Sequence, residues 1–164
     1  MTETKEEIQA RVTHAVELFK SGYNCAQAVV AAFADRYGFT SQQALRMAAS
    51  FGGGIGRMRQ TCGAACGLFL LAGLETGATQ ADDRAGKSAN YALVQKLASE
   101  FEARNGSTIC AELLGLTKQL HTDPQAAERT TAYYKKRPCA KMVESAAQLW
   151  ADYLIQQEDI KNPK

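Results

Sequence analysis

Five cysteines, at positions 25, 62, 66, 110 and 139, are the residues best suited to chemistry in this chain. Their neighbours put four of them at the starts of helices. Cys25 follows Asn24 and Cys62 follows Thr61, both favoured N-cap types. Cys110 lies three residues after Ser107, and Cys139 follows Pro138, a favoured first helical residue. A helix start presents unpaired N–H groups and about half a positive charge. A thiol placed there is expected to fall from its ordinary pKa of about 8.5 toward roughly 3.5–7.5, becoming a nucleophile or metal ligand at neutral pH. A structural cysteine belongs instead in mid-helix, on the apolar stripe. Four helix starts aimed at one point would make a pocket for four thiolates, or for an anionic metal cluster that they hold. Cys66, one turn after Cys62 on the same helix face, reads first as a core residue, with spare ligand or disulfide partner as its other readings.

Just ahead of Cys62 runs "FGGGIGRMRQT". Its glycines Gly53, Gly54 and Gly56 would let backbone approach a buried cofactor or bend sharply, and Arg57 and Arg59 would favour negative charge beside it. These five are the candidate cofactor-binding residues. The plainer reading is a helix terminator and turn carrying two solvent-exposed arginines. No strand-like run precedes the glycines and no Gly-Lys-Ser/Thr follows, so neither a dinucleotide fingerprint nor a phosphate-binding loop is present. No Cys-x-x-Cys occurs, which excludes a thioredoxin motif, a ferredoxin-type run and c-type haem attachment. His14 and His121 stand far from any cysteine in sequence and read as surface or core residues.

Composition bounds the setting. The chain has 164 residues, 46% hydrophobic and 22% charged, which suits one domain over 1–164 with a core that needs no disulfide framework. Nineteen basic residues face seventeen acidic ones and are scattered, so nucleic acid is not an expected partner. The run Lys135, Lys136, Arg137 reads as a solvated helix end. The N-terminus is polar and acidic without a secretory pattern, and the apolar stretch from Leu68 to Leu74 falls far short of the about 20 residues that span a membrane. The expectation is a cytoplasmic protein that does not enter the membrane, with cysteines reduced, metal-bound or redox-active.

Apolar residues recur at helical spacing almost throughout, so the elements that must position the cysteines are helices. The first runs from about Lys5 to Lys20, with Ile8, Val12, Ala15, Val16 and Phe19 on one stripe. A second, alanine-rich helix opens after Asn24 and continues to Gly38. A third opens at Thr40 or Ser41 and ends in Gly52–Gly54, and a fourth runs from Thr61 to Leu74. The fifth and longest spans about Asp83 to Arg104, a short sixth is capped by Ser107, a polar one runs from Asp123-Pro124 to Lys136, and a last one starts at Pro138. The fold class is all-α, a bundle of about six to eight short and medium helices.

With these residues laid out, the chain resembles the family of redox-active proteins known by its cysteine pattern, C-GCAxxG-C-C. The lone first cysteine is Cys25, the middle segment is "CGAACG" from Cys62 to Gly67, and the last two are Cys110 and Cys139. Cys66 occupies a variable position of that pattern. The family is similar to the non-haem portion of split-Soret cytochromes, in which related cysteines hold an iron–sulfur centre; the haem-binding segments are missing here. The resemblance implies a redox or electron-transfer role, with Cys25, Cys62, Cys110 and Cys139 holding an iron–sulfur cluster, most simply 2Fe–2S, and a redox partner protein. Two other readings stand beside it: a thiol–disulfide redox enzyme with Cys62 as nucleophile and no cofactor, and a zinc-stabilised sensing or interaction module. The spacing leaves open whether the cysteines meet within one chain or across a homodimer.

Overall fold

A computed structural model describes residues 2–116 and 122–163. Among them are eight α-helices: α1 (Lys5–Lys20), α2 (Cys25–Ala31), α3 (Ser41–Ala48), α4 (Gly63–Thr76), α5 (Arg84–Asn105), α6 (Cys110–Leu113), α7 (Thr131–Lys136) and α8 (Cys139–Lys161). Short 3-10 turns follow α2, at Ala34–Tyr37, and α3, at Ala49–Phe51. The described residues form no strand, only an isolated antiparallel bridge between Thr61 and Ile109. The class is all-α, as the periodicity requires, and no helix is long and apolar enough to cross a membrane among the described residues.

The main core lies between α1, α4, α5 and α8. Ile8, Val12, Ala15 and Phe19 recur along α1 at helical spacing, so one face of that helix is buried. They meet Val143, Ala147, Trp150 and Leu154 of α8, which runs along α1. Trp150 is fully buried and stacks on Tyr153 at 4.9 Å between ring centroids. From α5, Leu97 and Phe101 complete this core. A smaller cluster, Ala26, Val30 and Ala34 with Ala44 and Ala48, joins α2 to α3. The alanines of α2 thus serve packing, as their small size suggests. The same holds at Gly67 of α4, where a Cβ would lie 2.9 Å from the Cβ of Val29, so α2 and α4 touch nearly backbone to backbone.

Four boundaries depart from the sequence reading. The sixth helix has Ile109, not Ser107, at its cap position, and the Ser107 hydroxyl accepts from Ile109 N–H at 2.9 Å in the turn before it. The second helix does not continue to Gly38: it breaks at Phe33, whose φ is −125°, before the 3-10 turn. Arg11 of α1 donates to Ala32 O at 2.8 Å and pairs with Asp35, so a cross-helix partner takes a carbonyl that a longer helix would have used. The fourth helix has Cys62, not Thr61, at its cap position. Thr61 is held extended in the bridge to Ile109, and Cys62 N–H donates to Thr108 O at 2.7 Å, so helical geometry begins one residue later. Finally, Asp123-Pro124 starts no helix. Asp123 Oδ1 accepts from Gln125 N–H in a local turn, and α7 opens only after Thr130, which caps Tyr133 N–H at 3.1 Å.

Candidate redox site

Four helix starts surround one cavity. Cys25 and Cys139 are the first residues of α2 and α8, Cys110 is the first residue of α6, and Cys62 is the cap residue of α4. All four line a cavity of about 550 Å³. Cys62 and Cys110 are nearly buried, 5% and 8% exposed, while Cys25 and Cys139 are half-buried. Cys66 is buried but does not line the cavity; its Sγ lies 3.7 Å from Thr61 O. No disulfide joins any of the five.

The glycine-rich segment is a left-handed turn pressed against this cavity. Gly53, Gly54, Ile55, Gly56, Arg57 and Arg59 all have φ between 56° and 73°. Three of the six carry side chains, each in a conformation that costs about 1–3 kcal/mol unless its surroundings enforce it. Backbone hydrogen bonds do enforce it: Gly56 N–H donates to Ser50 O at 2.7 Å, Gln60 N–H to Gly54 O at 2.9 Å, and Cys110 N–H to Gln60 O at 2.6 Å. A Cβ at Gly54 would stand 2.6 Å from the Cβ of Cys110, so the turn and α6 meet at this point. Gly53, Gly56, Arg57 and Arg59 line the cavity, and Gly54 backs Cys110 from behind.

Arg59 overturns the plain reading of exposed arginines: it is 6% exposed, and its NH1 group donates to Cys110 Sγ at 3.8 Å. Arg57 is half-buried. Sequence reasoning missed Arg129, Tyr133 and Arg137, which line the same cavity. Arg129 is the centre of an aromatic cluster, 4.8 Å from the Phe19 ring and 4.6 Å from that of Tyr133, and it donates to Tyr23 O at 3.1 Å. Arg137 stacks on Tyr133 at 4.9 Å. In the run read as a solvated helix end, Lys135 and Lys136 are exposed but Arg137 faces the thiols. The available signal was its position two residues before Cys139, which parallels Arg59 three residues before Cys62. The cavity wall thus carries four arginines and no carboxylate among the described residues. His14 lies elsewhere, exposed beside Glu17, and His121 lies outside the described residues.

The expectation of four acidic thiols holds for one of them. A hydrogen bond with Cys139, opposed by burial and aided by Gly53 N–H, pulls Cys25 down to about 6. Cys139 is pushed up by the same hydrogen bond, so the two share one proton, with the thiolate on Cys25. Burial pushes Cys62 up to about 12, against the pull of the Ala65 and Ala64 N–H groups, and Cys66 up to about 11. Cys110 is also raised by burial, with Arg59 acting against it. Desolvation outweighs the helix-end N–H groups at Cys62, and at Cys110 it outweighs even the neighbouring guanidinium.

Residues 23–153 match the family described as "Putative redox-active protein (C_GCAxxG_C_C)". The chain belongs to this family. The match spans all four cavity cysteines, the left-handed turn and every other lining residue except Gly22. No curated protein and no solved structure matches the chain.

A bound metal would have to satisfy a specific donor arrangement. Among the described residues, no three Cys, His, Asp or Glu side chains group around a single point. A mononuclear zinc site, which takes about four ligands at roughly 2.3 Å for sulfur, is therefore not preformed here. A two-iron cluster asks for less at each metal, since two thiolates serve each iron. The donors available to such a centre would be the four cavity thiols, with guanidinium groups around them to offset its negative charge.

Proposed function

We propose that this redox-active family member is an electron-transfer protein in which Cys25, Cys62, Cys110 and Cys139 ligate an iron–sulfur cluster, most simply 2Fe–2S. The observation that carries the reading is the lining of one cavity by four thiols from four helix starts, with arginines and, among the described residues, no carboxylate around them. Such a cluster, when bound, accepts and releases single electrons, at a potential set partly by hydrogen bonds to its sulfurs and by burial. The chain supplies both. Arg59 donates to Cys110, while Gly53 N–H near Cys25 and the Ala64 and Ala65 N–H groups near Cys62 draw those thiols toward the thiolate. Each of these donors stabilises negative charge on the sulfur it faces, favouring the thiolate that a metal requires. The test is purification without air followed by iron, sulfide and visible-spectrum analysis. Brown protein with iron and sulfide in about equal amounts is expected; colourless protein without either after reconstitution with iron and sulfide would overturn the reading.

One observation favours a second reading. The Cys25 and Cys139 thiols act on each other across the cavity, both half-buried and both lining it, as a thiol–disulfide exchange pair must be. In that reading the Cys25 thiolate attacks one sulfur of a substrate disulfide and the substrate S–S bond breaks. One substrate thiolate leaves and takes up a proton. Cys139, losing its proton, then attacks Cys25 in the mixed disulfide and expels the second thiolate. The substrate gains two electrons and the chain is left with a Cys25–Cys139 disulfide. Cys62 does not suit the nucleophile's role that the sequence suggested for it, because it is buried and its thiol is held protonated.

A further inference from the structure

Arg59 is a buried cation without a carboxylate. Its side chain is 6% exposed and its Nε has no hydrogen-bond partner, leaving a 3.8 Å contact from NH1 to Cys110 Sγ. It forms no ion pair among the described residues, and the residues outside them, 1, 117–121 and 164, include no Asp or Glu. A buried charge is ordinarily paired, because removing it from water alone is costly. The fold also spends backbone strain to put it there, since Arg59 sits at a φ of 60°.

Its surroundings repeat the imbalance. Arg57, Arg129 and Arg137 line the same cavity, and none of them has a carboxylate partner among the described residues. Elsewhere Arg11, Arg36 and Arg104 each contact an Asp or Glu, while Arg46 and Arg84, which do not, are exposed to water. A 2Fe–2S cluster on four thiolates would carry about two negative charges, leaving about two of the four guanidinium charges unmatched. Space is left as well. At about 550 Å³ the cavity falls within the roughly 300–1,000 Å³ of small-molecule sites, more than the four atoms of such a cluster fill. Guanidinium forks match the paired oxygens of phosphates and carboxylates.

We propose that the cysteine cavity also binds a small oxyanion-bearing molecule, of phosphate or carboxylate type, with Arg59 as its innermost anchor and Arg137 as a second contact nearer the opening. Calling that molecule the redox substrate rests on the reading above; its binding does not, because the arginines stand in the cavity whether or not iron is held.

The test is calorimetric titration of the full chain, prepared without air, with inorganic phosphate and with malonate at low ionic strength. It is repeated after chelator treatment, with iron measured in every sample. At least one of the two anions should bind saturably, one per chain, with and without iron. Arg59→Gln should weaken it on the order of tenfold to a hundredfold, the loss of a hydrogen bond to a charged group. Arg137→Gln, which alters a half-buried side chain, should weaken it in the same direction and carries the test if Arg59→Gln does not fold. Arg104→Gln, outside the cavity and paired with Asp152, should leave it unchanged. Absence of saturable binding by both anions, parental affinity in every folded cavity variant, or equal displacement by chloride would overturn the proposal. So would binding that appears only after iron is removed, since the cluster would then be the anion that Arg59 serves. Protein that holds no iron as purified or after reconstitution, yet binds phosphate, would uphold the site and contradict the cluster; brown protein that binds neither anion would do the reverse.

Discussion

The helix starts of this protein divide into two kinds. At α1 and α3 a threonine closes a full capping box: Thr4 with Glu7, and Thr40 with Gln43. At α4, α6 and α8 the cap positions hold Cys62, Ile109 and Pro138, none of which supplies a side-chain oxygen. The second helix combines the two, with Asn24 capping Gln27 N–H while Cys25 enters the cavity. Oxygen caps satisfy the free N–H groups of a helix and stabilise it. At α4 sulfur stands in the place of the capping oxygen, and at α6 and α8 it stands one residue inside an apolar cap; sulfur is the poorer cap but the better nucleophile and metal ligand. The difference separates helix starts that serve the fold from helix starts that serve the site.

The largest effect that would sharpen this division is in thiol reactivity. In metal-free protein at pH 7, iodoacetamide should modify Cys25 faster than Cys62 by orders of magnitude. Cys25 is held near 6 by its hydrogen bond with Cys139, and Cys62 is pushed up to about 12 by burial. The Cys25 rate should be half-maximal near pH 6 and level above it, read by peptide mass mapping. Preferential labelling of Cys62 would break the assignment. The same shifts set opposite trends in stability. Between about 6 and 9, where an unfolded thiol is still protonated, rising pH favours the fold through Cys25; above 9 it disfavours the fold through Cys62.

A smaller but still large effect is expected in the left-handed turn. Gly54→Ala puts a methyl group 2.6 Å from the Cys110 Cβ at a φ of 73°, and should cost about 3 kcal/mol from overpacking and backbone strain together. Thermal melts should reveal that loss, and a variant as stable as the parent would mean that the turn does not position α6. Next in size, Thr4→Ala should cost about 1 kcal/mol by removing a cap, with no change in thiol labelling. Cys62→Ser reverses that pattern. It places an oxygen at the cap of α4, so the metal-free protein should stay within about 1 kcal/mol of the parent while losing whatever the sulfur binds.

Much of this division was legible in the residues. The bounds of α1, the long α5 and the placement of four cysteines at helix starts follow from local signals: apolar spacing, Asn24, Pro138 and Gly106. What was not legible is tertiary in origin. Phe33 breaks the second helix because Arg11 reaches across to Ala32 O and Asp35. Residues 124–129 stay out of α7 while Arg129 is held on the rings of Phe19 and Tyr133. Ile55, Arg57 and Arg59 take left-handed conformations that nothing local in their side chains favours. The site was read from its sulfurs and from Arg59, and Arg137 carried a similar local signal two residues before Cys139; Arg129 had none, and only its packing on the rings of Phe19 and Tyr133 brings it there.

The most direct test of the central claim is iron per chain, with the visible spectrum, for five single variants prepared without air. Cys66→Ala removes a thiol that is buried off the cavity wall, so it should keep nearly the parental iron and colour. Cys25→Ser, Cys62→Ser, Cys110→Ser and Cys139→Ser each remove a cavity thiol and should lose most or all of both. Bleaching by Cys66→Ala, with iron retained in any cavity variant, would contradict the account.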